Sequence, residues 1–299
     1  MRSHRVLGLV VAALYLAFAA IPAAAESRIE KTLELQPKGQ LVLDSDAGSV
    51  SVTGTSRSGA HVVITSDRND LNSEFDFKFE GGPGLARVTA RHRHEFGWGH
   101  SVSLHFEVEV PAETRTEIRT GGGSIKLFGL RGESGLRTSG GPIEVTGLNG
   151  ALQAHTSGGP IHIREVTGDT HLETSGGGID AEAVEGSLWA HTSGGGIRID
   201  RVTGYLEAKT SGGPIRATYS RGNTHGGDLE TSGGSIEVAI DPSANLSVDA
   251  STSGGSVSSD LPVRVVGTIS TSSMHGTIGS GGEALRLHTS GGSIRIRAL

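Results

Sequence analysis

The sequence predicts an all-β chain: a single-stranded parallel β-helix (β-solenoid) with 18–21-residue coils and an N-terminal antiparallel β cap. Three observations carry that expectation. A TSGG-led hexapeptide recurs with its Thr at positions 138, 156, 174, 192, 210, 231, 252 and 289. The first five of these, preceded by TGGGSI at Thr120, hold a spacing of 18 residues. A short fixed period of this kind is the mark of a solenoid. Apolar residues also fall at even offsets from each Thr, as in Leu152 and Ala154 before it or Ile161 and Ile163 after it. Alternation with period two means strands with one face buried. No segment keeps a 3.6-residue period, and 47 glycines weigh against a helical solenoid.

Residues 1–25 stand apart from that pattern. Arg2, His4 and Arg5 form a basic start, Val6 to Ala20 an apolar run, and Ala23-Ala24-Ala25 a small-residue site. This is the order of a secretory signal cleaved after Ala25. An uncleaved anchor is the alternative, for which the run is short. The expected destination is the periplasm, the cell surface or the medium, with no stable membrane span after cleavage. The chain has no Cys, which excludes disulfides and a lipid-modified cysteine. Losing Arg2 and Arg5 leaves 24 basic against 32 acidic residues, a formal −8. That balance argues against nucleic acid and anionic membrane surfaces as partners.

Residues 26–115 are expected to form a first coil and its cap. LVLDSDAGSVSVTG at 41–54 fits the coil template with Ser45 in the Thr place. Phe75, Phe77 and Phe79 then alternate with charged residues, as do Val102, Leu104, Phe106, Val108 and Val110. These read as antiparallel strands covering an open sheet edge.

Residues 116–299 are expected to be the solenoid proper. Rungs in chain order would fall at Thr120, Thr138, Thr156, Thr174, Thr192, Thr210, Thr231, Thr252, Thr271 and Thr289. The SGG and V-x-G segments supply turns, where Gly accepts positive φ. The columns one residue before Thr and six after it largely alternate in charge, so adjacent coils can pair. The last coil, RLHTSGGSIRIRAL, would be the uncapped end, open to self-association with a second copy.

The signal segment, the LxLxSDAGSVSVTG coil, a strand excursion closing in FEVEVP and the repeated TSGGxIxV together resemble a bacterial family. It is the domain-of-unknown-function family catalogued as "putative adhesins", Gly-rich secreted or envelope β-solenoids. The resemblance covers residues 29–299 and implies the fold and an adhesin-like role. It implies no catalytic residue.

Candidate sites are few. In RHRHEFGWGHSVSLHF at 91–106, a hairpin turning at Gly97 would put His92, His94 and His100 on one face, a geometry suited to Zn²⁺ or Cu²⁺. Solvated histidines on a polar loop explain the same residues, and no cofactor is expected. Phe96 and Trp98 at that tip suggest either a small aromatic contact or packing on the cap. Insertions at Arg221–Gly226 and Asp241–Asn245 should lie side by side on one corner, making Arg221, Asn223, His225, Asp241 and Asn245 a candidate binding patch. Tolerated loop insertions are the plainer explanation. The Thr ladder, by parity, faces inward and is structural rather than ice-binding. No Ser-His-Asp set, paired Glu or phosphate loop stands out.

The functional expectation is therefore an exported, non-enzymatic, adhesin-like solenoid. It would present a polar surface to an envelope component, a polysaccharide or another protein. The alternatives are a scaffold subunit joining through its last coil and a polysaccharide lyase-like enzyme.

Overall fold

The computed structural model describes residues 27–67, 71–93, 103–265 and 270–299. Among them, strands form two mostly parallel sheets of 13 and 14 members. Each coil gives one strand to each sheet. Leu152–Thr156 lies in the sheet carrying the Thr column (the threonine sheet), and Ile161–Thr167 lies in the facing isoleucine sheet. The next coil repeats this 18 residues on, with Thr156 beside Thr174 and Ile161 beside Ile179. Buried and outward residues alternate along the threonine-sheet strands and the first part of each isoleucine strand, and the inward Leu, Ile, Val and Ala fill one continuous core.

The Thr hydroxyls point into that core corner and are satisfied there. Thr156 Oγ1 donates to the Gly141 carbonyl of the preceding coil at 2.9 Å and accepts the Gly159 N–H at 3.3 Å. Thr174, Thr192 and Thr210 repeat the donation at 2.7–2.8 Å. Thr138, Thr231, Thr252 and Thr289 also donate to a glycine carbonyl of a neighbouring coil, at 2.7–2.9 Å. A buried hydroxyl needs such partners, so the column is structural, as its parity implies.

The glycines after Thr are required for a different reason than expected. From Thr138 onward, no TSGG glycine has a left-handed φ. The second one instead packs onto the coil before it: a Cβ at Gly159 would sit 2.1 Å from the Gly141 oxygen. Left-handed backbone occurs at the opposite end of the isoleucine strand. Glu165, Ala183 and Arg201 have φ of 55°, 56° and 62°, stacked in consecutive coils. Each inserts one residue into the alternation, so that Val166, Val184 and Val202 turn inward.

The coils do not stack in chain order at either end. Gln40–Ser45 pairs in parallel with Arg115–Thr120 on one side and Leu85–His92 on the other. Ser49–Thr55 likewise lies between Ile125–Phe128 and Leu104–Pro111. Leu85–His92 and Leu104–Pro111 thus add one further strand to each sheet outside the first coil. The antiparallel strands Phe75–Gly82, Ala60–Ser66 and Ser27–Leu33 then close that end.

The other end mirrors this and corrects the expected rung order. Glu283–Thr289 lies between Gly227–Thr231 and Leu246–Thr252. Ile294–Ala298 lies between Ile236–Ile240 and Val257–Ser259. The last coil is therefore interior, with Ile294 and Ile296 fully buried, and offers no uncapped end for a second copy. Thr271 marks no rung. It is exposed, and it precedes Ser273–Ile278, which runs antiparallel to Leu246–Thr252. The reason is local: Met274 stands where the closely packed second glycine would have to be.

Candidate functional site

The outward face of the threonine sheet is set by two columns. Three residues before each Thr stand Glu117, Gly135, Gln153, His171 and Trp189; one residue before it stand Arg119, Arg137, His155, Glu173 and His191. Odd offsets from Thr point away from the core, so every one of these is at least partly exposed. The residues line an open groove of about 440 Å³. Its five coils make four steps, roughly 19 Å at ~4.8 Å per step.

One end of the groove is aromatic. His171 and Trp189, cross-strand neighbours, stack with centroids 4.3 Å apart and planes 3° from parallel. The strands below hold both rings, because Leu172 and Ala190 are buried. The middle is open, since Gly135 contributes no side chain between Glu117 and Gln153.

Most titratable side chains in the groove have a partner of the complementary type. Glu117 pairs with Arg119, Glu173 lies 3.2 Å from His155, and His191 lies 2.8 Å from Glu207 just beyond the rim. Arg137 is exposed and has no carboxylate within ion-pair distance among the described residues. Its column neighbours are Arg119 and His155. A flat aromatic pair, exposed hydrogen-bonding groups and one unpaired guanidinium on a rigid sheet suit binding, with no nucleophile and base set beside each other.

The expected turn at Gly97 lies outside the described residues, and the strands that flank it do not pair with each other. Leu85–His92 belongs to the threonine sheet and Leu104–Pro111 to the isoleucine sheet, so these strands are not hairpin partners. His94, His100, Phe96 and Trp98 lie outside the described residues. His92 packs its ring on Phe75 at 4.2 Å and donates its backbone N–H to Asp46 at 2.9 Å. Burial alone would raise the Asp46 carboxyl. Hydrogen bonds from the His92 N–H and from Arg91, with the Arg91 charge, outweigh this and hold it below the usual carboxylate range. No group of three potential metal ligands occurs among the described residues.

The two corner insertions do meet: the Gly222 N–H donates to Asp241 at 3.0 Å. Asp241 also accepts from the Ser243 N–H and hydroxyl, which hold its carboxyl below the ordinary value. Within the patch, Arg221 and His225 are exposed. Asn223 is buried, its amide donating to the Val202 and Gly204 carbonyls and its oxygen accepting the His225 N–H. Asn245 is tied to Ser280 at 2.8 Å. Several of these side chains thus fasten the corner itself.

Sequence reasoning passed over Trp189 and His171. The signal was present: one of two tryptophans stands three residues before a TSGG Thr, an outward position, 18 residues after a histidine.

With that geometry in place, similarity to known proteins can be stated. Residues 187–297 match the Toastrack DUF4097 family. The Toastrack segment includes Trp189, both corner insertions and the interior C-terminal coil. Among solved structures, the chain is similar to a "putative adhesin" from Bacteroides fragilis NCTC 9343, at 10% identity and a TM-score of 0.48, over 93% of this chain and 99% of that one. A "putative cell adhesion protein" from Clostridium sporogenes ATCC 15579 aligns at 10% identity and a TM-score of 0.31, over 92% of this chain and 100% of that one. A "putative lipid binding protein" from Parabacteroides distasonis ATCC 8503 aligns at 10% identity and a TM-score of 0.38, over 92% and 96%. No curated protein matches the chain. No helix among the described residues is long and apolar enough to cross a membrane.

Proposed function

We propose that this protein is an exported, non-enzymatic, adhesin-like binding protein that holds polysaccharide against the outer face of its threonine sheet. The observation that carries the reading is the stack of exposed His171 on half-buried Trp189 at one end of a polar groove. The apolar face of a pyranose ring covers an aromatic plane well, and surrounding side chains can take up its hydroxyls. A parallel sheet whose coils repeat in register keeps these groups at fixed spacing, so the protein side of the contact needs little ordering when a polymer docks. The basic-apolar-small start of the sequence supports export.

The test uses the chain from Glu26 onward and immobilised or gel-embedded envelope and extracellular polysaccharides. Retention and released oligosaccharide are scored together. The proposal expects retention, no release, and a clear loss of retention in Trp189→Ala. Released oligosaccharide would sink the non-enzymatic reading, and unchanged retention in Trp189→Ala would remove this face as the site.

A further inference from the structure

The groove also carries information about which polysaccharide it takes. We infer that it selects a glycan bearing carboxylate groups, with Arg137 receiving a carboxylate while a pyranose ring packs against the His171–Trp189 pair. This rests on the polysaccharide-binding reading above and adds the ligand's charge to it.

Glu117 is held by Arg119, and Glu173 by His155. His191 is held by Glu207. Arg137 alone among the groove's Arg and Glu side chains has no oppositely charged partner among the described residues. Its neighbours up and down the column, Arg119 and His155, are both basic. Three basic side chains therefore follow one another over three coils, and the carboxylates nearest to them are already engaged.

The space beside Arg137 is also open. Two residues before it on the same strand stands Gly135, so the strand leaves an unfilled position between Glu117 and Gln153. A guanidinium facing such a gap can meet a carboxylate with two parallel N–H···O bonds, a geometry Lys cannot reproduce. Gln153, exposed on the next coil, can donate to the same group or to a ring hydroxyl.

Overall charge sharpens the inference. The mature chain is acidic, so an anionic polymer is repelled by the molecule as a whole and drawn only where the local field is positive. Arg137, the one guanidinium there without a carboxylate partner among the described residues, supplies that charge at one end, and the aromatic pair supplies apolar contact at the other. Arg137 and Trp189 are three coils apart, ~14 Å along the solenoid axis at ~4.8 Å per step. A monosaccharide cannot reach both, so the ligand is a chain of several sugars lying along the axis.

The experiment is affinity electrophoresis of the mature chain in gels containing polygalacturonate or a neutral β-glucan. Wild type, Trp189→Ala, Arg137→Gln and Arg137→Lys are compared after thermal melts establish that all four fold. The inference expects polygalacturonate to retard the wild type about tenfold more strongly than the glucan, and Arg137→Gln to abolish that difference. Arg137→Lys should restore only part of it, and Trp189→Ala should weaken both gels. Equal retardation in the two gels, or wild-type behaviour of Arg137→Gln, would overturn the carboxylate inference while leaving the stacking site standing. Wild-type retardation of Trp189→Ala, or no retardation in either gel, would overturn the polysaccharide reading and this inference with it.

Discussion

At the scale of single residues, TSGG is a hydroxyl followed by a hole. Thr156 bridges two coils through one buried oxygen, and Thr156→Val keeps its shape while orphaning the Gly141 carbonyl and the Gly159 N–H. The expected loss is about 1–3 kcal/mol in chemical denaturation. The glycine pair provides an internal control. A Cβ at Gly141 would lie 2.0 Å from the Gly123 oxygen, whereas one at Gly140 meets nothing within 4 Å. Gly141→Ala should therefore cost about 1–3 kcal/mol and Gly140→Ala almost nothing. Equal costs would show that the close approach is not what demands glycine.

Asp46 gives a second prediction at this scale. Its carboxyl is held below the ordinary value in the folded chain, so its contribution is present above the unfolded value near ~3.9 and is lost as pH falls through the folded value. The groups are more than a third exposed, which limits the contribution to about 0.5–1 kcal/mol. Asp46→Asn should be less stable than wild type by that amount at pH 7 and indistinguishable from it well below pH 3. A deficit that persists at the acid end would refute the linkage.

At the scale of elements, alternation was legible wherever a strand keeps strict period two, as in LQAHT or LEAKT. It failed at the inserted left-handed residue. Glu165, Ala183 and Arg201 do not themselves announce positive φ; the only cue is one coil earlier, where the same stacked position is Gly147, also left-handed at 69°. Holding a non-Gly residue there costs about 1–2 kcal/mol. Ala183→Gly should consequently raise stability by up to about 1 kcal/mol, after the extra unfolded-state entropy of Gly is set against that relief. The outward columns were equally legible, and the charge pairing between them is partly realised: Lys126 meets Glu144 at 3.0 Å, while Asp180 makes no ion pair with Arg198.

At the scale of the whole molecule, the period revealed a solenoid but not the order of its coils. Each coil's sequence says that it must be covered on both sides, and several neighbours satisfy that equally well. Chain-order stacking was the simplest solution. The actual arrangement threads the first and last coils into second place at their ends, under an outer coil and antiparallel strands. This predicts that removing Glu283–Leu299 does more than shorten the rod. Val257–Ser259 loses its only ladder partner among the described residues, and Leu246–Thr252 keeps only the antiparallel Ser273–Ile278, so amide exchange should rise across both and most at 257–259. A truncated chain with protected 246–259 would contradict the interleaving. The groove, too, is a whole-molecule property, since it needs four coils in register before Arg137 and Trp189 share a face.

The most direct test of the binding face is Trp189 fluorescence in a Trp98→Phe background, where Trp189 is the only indole. Titration with polygalacturonate should give a saturable change in Trp189 emission whose midpoint matches the retardation measured in gels. Retention of the polymer with unchanged emission would place the contact elsewhere on the solenoid and contradict the assignment of this groove.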